Sequence, residues 1–205
     1  TSPAKKANRG MKLSISPVAE FAEAENIEIS SPPSISSSEE LKKLREMNLD
    51  IIIVVAYGLI LPEEVINLPK LGCFNVHASL LPRWRGAAPI QRAMIEGDQT
   101  TGVTIMKMDK GLDTGDIGLQ KEIKIEQQNY SELEKELANE GAELLINFID
   151  RLDGSIQFAK QNDTQACYAR KIQKQESLID WTENAEKINR RINAYNPSPC
   201  AWFSL

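Results

Sequence analysis

Asp50 leads into Ile51-Ile52-Ile53-Val54-Val55-Ala56, an unbroken apolar run that is β-branched until its last residue. A strand with one wet face alternates in polarity. A continuous run is expected where both faces are covered, as in a parallel sheet flanked by helices. This feature commits the chain to an α/β layered arrangement. Residues 73–77 (CFNVH) and 102–108 (GVTIMKM) read as further strands, with 87–96 as a helix between them, a strand–helix–strand unit.

The flanking segments carry helix signals. Ser16-Pro17 is an N-cap followed by proline in the first turn, and Val18, Phe21 and Ala22 supply an apolar stripe. Ile27 and Ile29 suggest a short strand, and residues 30–37 a turn-rich connection. Ser37 with Glu40, and Ser131 with Glu134, have capping-box spacing. The first opens a helix with Leu41, Leu44 and Met47. The second opens a long helix with Leu133, Leu137, Leu144, Leu145, Phe148 and Leu152 on one side, stopped by Gly154. Residues 1–15 read as a basic loop. After Gly154 the texture turns polar until a basic helix over 184–195, which Asn196-Pro197-Ser198-Pro199 breaks. The apolar run that begins at Ala201 has nothing after it to pack on.

Composition excludes several classes. With 41% hydrophobic and 26% charged residues, a wholly disordered chain is ruled out. The longest apolar run is far too short to cross a bilayer, and no signal peptide is visible. The net charge of −5 means that any nucleic-acid contact must run through a local basic patch. Cys73, Cys167 and Cys200 are widely spaced and form no C-x-x-C, which fits a reducing compartment. With one histidine, His77, zinc sites drawing on several imidazoles are impossible, and no metal is expected. Neither G-x-G-x-x-G nor G-K-S/T occurs.

The chemistry concentrates in two places. Alternate side chains share a face of a strand, so Asn75 and His77 project together at the strand's carboxyl end, where open α/β sheets place ligands. The plainer alternative is two satisfied polar groups at a strand end. The second place is Gly111-Leu112-Asp113-Thr114-Gly115-Asp116. It reads as a glycine-rich turn with capping aspartates, or as a carboxylate brought over the neighbouring strand end beside His77. A calcium loop fits poorly, because Thr114 falls where glycine is needed and Gln120 where glutamate is needed. Asn75, His77 and Asp113 together would make an acyl-transfer site with no covalent step. Asn75 donates to a developing oxyanion, His77 donates a second hydrogen bond, and Asp113 orients the imidazole or takes a proton through water. Cys73 could share the face of Asn75 as a reactive thiol, without a second histidine to activate it.

The segment from Asn75 to Gln91 (NVHASLLPRWRGAAPIQ) closely resembles the signature of the methionyl-tRNA formyltransferase family. Thr101–Asp109 and Gly111–Asp116 resemble that family's second block, and Ile179-Asp180-Trp181 with Asn196–Pro199 its entry into a C-terminal domain. The resemblance implies an α/β, Rossmann-like parallel-sheet formyltransferase domain lacking its first strand and helix. A linker and the start of a C-terminal β-barrel (OB-like) domain follow. The implied boundaries are 1–156, 157–175 and 176–205, with the chain cut at both ends and its Ile51–Ala56 strand exposed. The implied reaction moves a formyl group from 10-formyltetrahydrofolate to the α-amine of methionyl-initiator tRNA. By position, Asn75, His77 and Asp113 match the catalytic trio. Ser79, Leu80, Leu81 and Pro82 match the folate-contacting loop, and Lys5, Lys6, Arg9 and Lys12 a mobile tRNA-binding loop. A monomer in the bacterial cytoplasm or an organellar matrix, with no membrane partner, is the corresponding expectation.

Two rivals share these features. Glycinamide ribonucleotide formyltransferase has the same trio but usually lacks a segment beyond the α/β domain. A non-enzymatic tRNA binder could use Arg83, Arg85, Arg190 and Arg191 on phosphates. Isolated surface arginines, however, are more simply solvated or weakly paired.

Overall fold

The computed structural model describes residues 1–7, 12–152 and 154–204. Its elements, in chain order, are β1 (Lys5–Ala7), β2 (Lys12–Ser14), α1 (Pro17–Ala24), α2 (Ser38–Glu46), β3 (Ile51–Val55), α3 (Glu63–Ile66), β4 (Gly72–His77), β5 (Arg85–Gly86), α4 (Pro89–Glu96), β6 (Thr100–Lys107), β7 (Ile117–Lys124), α5 (Tyr130–Asp150), β8 (Tyr168–Ala169) and α6 (Ala185–Tyr195). The main sheet has the order β3-β4-β6-β7.

The α/β class holds, with one correction to the sheet. β3 and β4 are parallel, but β4–β6 and β6–β7 are antiparallel. The strand–helix–strand reading therefore has the right elements and the wrong direction for its second strand. A parallel crossover must return the chain to the starting edge, which takes a long connection laid across the sheet. Here α4 has only 8 residues, about 12 Å of helix. β6 extends beyond the carboxyl end of β4, since His77 pairs with Thr104 and Thr100 lies further out. The strand begins at that end and runs back.

Each face of the sheet is covered. Phe74, Val103 and Ile105 pack beneath α5 through Leu133, Leu137 and Phe148, joined by Ile90 and Met94 of α4 and Ala194 of α6. On the other face, Cys73 packs with Leu61, Val65 and Ile66, and Leu41, Leu44, Ile52 and Val54 close around them. Ile51 and Ile53 on one side of β3, and Ile52 and Val54 on the other, thus do touch apolar groups. β3 is nevertheless the sheet edge among the described residues, its residues are half-buried, and Val55 is 59% exposed.

Local signals fare unevenly. Ser16 caps α1 by accepting from the Ala19 N–H, yet Val18 and Phe21 are exposed and only Ala19 and Ala22 are buried. Ser37 caps α2, while the Glu40 carboxylate pairs with Lys43 instead of turning back. The capping box of α5 is Asn129 with Glu132, two residues before the expected one. Asparagine caps as well as serine, so the spacing alone misplaced the start. Residues 27–29 form no strand, and Ile27 is exposed. Residues 1–15, read as a loop, contain the β1–β2 hairpin, in which Lys6 pairs with Leu13 and Ala7 with Lys12. The apolar tail also has a partner, because Trp202 exchanges main-chain bonds with Ser177 and Ile179.

Candidate functional site

Asn75 and His77 stand at the carboxyl end of β4, on the face opposite α5. Their cross-strand partners on β6 are Met106 and Thr104. The chain then leaves the sheet through Ala78–Ala88 and curls over this face. Trp84 takes a left-handed backbone (φ 62°) and Gly86 a φ of 115°. This curl aims the Trp84 carbonyl at the imidazole, where it accepts from His77 Nε2 at 2.9 Å. A carbonyl can only accept, so Nε2 carries the proton, and Nδ1 is left as the nitrogen turned toward the site.

Asp113 arrives from the loop after β6, itself in the left-handed region with φ 53°. Its carboxylate is turned inward, with the side chain 13% exposed. Oδ2 lies 3.8 Å from His77 Nδ1 and accepts from the Gly86 N–H at 2.8 Å, while Oδ1 lies 3.5 Å from Asn75 Nδ2. The three side chains therefore meet around one carboxylate. The imidazole–carboxylate gap is wider than a direct hydrogen bond.

Cys73 lies two residues before Asn75 on the same face, buried and 3.6 Å from Met108 Sδ. Burial pushes its thiol up to about 11, so it stays protonated at neutral pH. That removes the reactive-thiol reading.

The loop Ser79–Pro82 is anchored from β6 and β7. Thr104 Oγ1 donates to the Ser79 carbonyl at 2.6 Å and accepts from the Leu81 N–H at 3.1 Å. Gln120 Nε2 bonds the Leu81 carbonyl and Thr104 Oγ1. Ser79 is fully buried and its hydroxyl donates to the Arg83 carbonyl, and Leu81 is also buried. Leu80 and Pro82 are the half-buried members of the loop. A cavity of about 250 Å³ beside the loop is lined by Leu80, Arg83, Trp84 and Asp98 but by none of Asn75, His77 and Asp113.

The arginines considered for phosphate have internal partners. Arg83 makes two bonds to Asp98, Arg85 is buried against Gln161 and Asp163, Arg190 donates to the Ile95 carbonyl, and Arg191 pairs with Glu183. Of the basic-loop residues, Lys5, Lys6 and Lys12 fall in the β1–β2 hairpin, and Arg9 lies outside the described residues. Among the described residues no group of histidine, cysteine and carboxylate side chains could hold a metal, and no helix is long and apolar enough to cross a membrane.

The formyl transferase family pattern matches residues 1–149, close to three quarters of the chain. The chain belongs to the formyl transferase family. A second pattern, the formyl transferase C-terminal domain, matches residues 171–205. Two curated members of the family are methionyl-tRNA formyltransferases. That of Coxiella burnetii is 48% identical over 204 residues, 98% of this chain and 65% of the relative. That of Bartonella quintana is 47% identical over 199 residues, 96% of this chain and 64% of the relative. The chain thus spans just under two thirds of the length of these relatives. The fold also matches HypX from Aquifex aeolicus solved with tetrahydrofolic acid, with TM-score 0.70 at 18% identity over 81% of this chain and 29% of that one.

Sequence reasoning missed the main-chain groups of Trp84 and Gly86, and the side chains of Thr104, Gln120 and Gln161. Trp84-Arg85-Gly86 sits inside the recognised motif, but motif position does not say which carbonyl turns inward. Gln161 lies in a polar stretch with no periodicity, and nothing there signals a role.

Proposed function

We propose that this protein transfers a formyl group from 10-formyltetrahydrofolate to the α-amine of methionyl-initiator tRNA, as part of translation initiation. The observation that carries the reading is the meeting of Asn75, His77 and Asp113 at the end of β4 in a formyl transferase chain. The tRNA acceptor is supported by the names of the curated relatives, and the folate donor by the tetrahydrofolic acid complex on the same fold. In the proposed division, residues 1–156 carry the chemistry, 157–175 connect, and 176–205 begin a C-terminal unit. The protein acts as a monomer in the bacterial cytoplasm or an organellar matrix.

The attacking amine must be neutral. An α-amino group has a pKa of about 7.7–8.0 before esterification lowers it, so no strong base is needed to begin. The amine nitrogen bonds to the formyl carbon, and its carbonyl becomes an oxyanion. Asn75 Nδ2 donates to that oxygen. His77, its Nε2–H held by the Trp84 carbonyl, presents Nδ1 to relay the amine proton. The carbon–nitrogen bond to the folate then breaks, and the proton ends on the folate nitrogen. Asp113, tied to the Gly86 N–H, keeps its carboxylate facing the imidazole while this proton moves. Leu80 and Pro82 contact the folate, and Lys5, Lys6, Arg9 and Lys12 contact the tRNA. That last contact makes affinity fall steeply as salt rises, because counterions are released from the phosphates.

The test assays the complete protein with 10-formyltetrahydrofolate and three acceptors: charged initiator tRNA, glycinamide ribonucleotide and water. Formylation of the tRNA is expected. Formylation of the ribonucleotide but not of the tRNA would overturn this choice, and binding of tRNA with no formyl transfer would leave only a scaffold.

A further inference from the structure

We propose that Gln161 is the positioning residue that holds the Asp113 carboxylate in the site, acting from the connector rather than from the sheet. The inference rests on the reading of Asn75, His77 and Asp113 given above. Gln161 Nε2 donates to the Asp113 carbonyl at 2.8 Å and to the Gly115 carbonyl at 2.8 Å. Its Oε1 accepts from Arg85 Nε at 3.0 Å. Both donor hydrogens are therefore used on the 113–115 turn, and the acceptor on Arg85.

The two things it joins are the two sides of the carboxylate's mooring. One is the 113–115 turn that carries Asp113. The other is the Arg85-Gly86 segment, whose main-chain N–H binds Asp113 Oδ2 at 2.8 Å. Arg85 is 2% exposed and also bonds Asp163 at 2.7 Å, while β5 pairs in parallel with β8 from the same connector. An aspartate in the left-handed region relaxes unless its surroundings fix it. Gly115 seats the turn against β6, where a Cβ would fall 1.6 Å from the Lys107 carbonyl oxygen. Gln161 supplies the long-range tie, reaching the Asp113 carbonyl across 48 residues of chain.

Two substitutions separate positioning from simple packing. Gln161→Ala removes all three bonds. Gln161→Glu keeps the volume and the partner for Arg85 but loses both donors to the turn. Both variants in the complete protein are expected to lower kcat on the order of 10²-fold, with KM for donor and acceptor nearly unchanged, because the turn shifts while the binding surfaces stay. Gln161→Glu with wild-type kcat would show that the residue only serves Arg85, and would overturn the proposal. The second readout needs no activity. His77 is the one imidazole in this chain, and in the complete protein its ring nitrogen resonances are assigned by their loss in His77→Gln. In both variants they are expected to move in the same direction as in Asp113→Asn, recorded alongside. If Gln161→Ala does not fold, Gln161→Glu carries both measurements. A wild type that transfers no formyl group, with resonances that still move, sinks the proposed reaction and supports the positioning role. Unmoved resonances with unchanged kcat sink the positioning role and leave the reaction standing.

Discussion

The main-chain N–H of Gly86 donates to Asp113 Oδ2 at 2.8 Å, tying the loop after β4 to the loop after β6 across the face that carries Asn75 and His77. Gly86 has a φ of 115°, and a Cβ there would lie 2.9 Å from the Ala169 carbonyl oxygen. Gly86→Ala is therefore expected to destabilise the fold by about 1–3 kcal/mol, through backbone strain. It should also lower turnover, since the same N–H fixes the carboxylate. Thermal melts and initial rates on one preparation check both.

Thr104 acts through its hydroxyl. Thr104→Val keeps the shape but strands the Ser79 carbonyl and the Leu81 N–H, which both bond that oxygen, while the exposed Gln120 amide keeps its bond to the Leu81 carbonyl. Buried unpaired polar groups cost about 1–3 kcal/mol, so a melt should show a loss in that range. The Ser79–Pro82 loop should loosen as well, which raises KM for the folate donor more than for the tRNA.

The thiols should divide by burial. Cys73 is buried with its thiol pushed up to about 11, whereas Cys200 is exposed. Alkylation of the native protein at mildly alkaline pH should label Cys200 and spare Cys73, as read by peptide mass. Cys73→Ala should keep kcat, and a variant inactive despite a normal melt would restore the thiol to the chemistry.

Acid should loosen the hold of Glu176, at the start of the proposed C-terminal unit, on Arg92 of α4. The Glu176 carboxylate is held below its ordinary value of 4.5, first by its hydrogen bonds to Arg92 on α4, with burial opposing. Its folded-state pKa is depressed, so its contribution is present above 4.5 and fades as pH falls through the lower folded value. Glu176→Gln should be less stable than wild type by about 1 kcal/mol at neutral pH, given that the pair is partly wet. The gap should close in acid, as measured by urea unfolding across pH.

The strand ends and the polar pair on β4 were legible because period and composition act locally. Ile51–Val55, Asn75 and His77 needed only alternation and β-branching to be placed. The direction of β6 was not legible, because it depends on where an eight-residue helix sits rather than on the residues of the strand. The Asp113 turn could be suspected, but its mooring depends on Trp84 and Gly86 at positive φ and on Gln161 from a featureless stretch. The burial of Arg85 was hidden for the same reason. Arg85 has no local partner in sequence, and its Asp163 is supplied only once β8 lies beside β5.

The central claim is that Asn75 and His77 act on the oxygen and proton of the transferred formyl group. The most direct measurement is single-turnover formyl transfer by the complete protein, both substrates saturating, for Asn75→Ala, His77→Ala and the double variant. The account predicts a loss of about 10²–10³ for each single variant, and a double variant less impaired than the product of the two, because the groups work as a unit. A rate close to wild type for either single variant, in protein that melts normally, would contradict it.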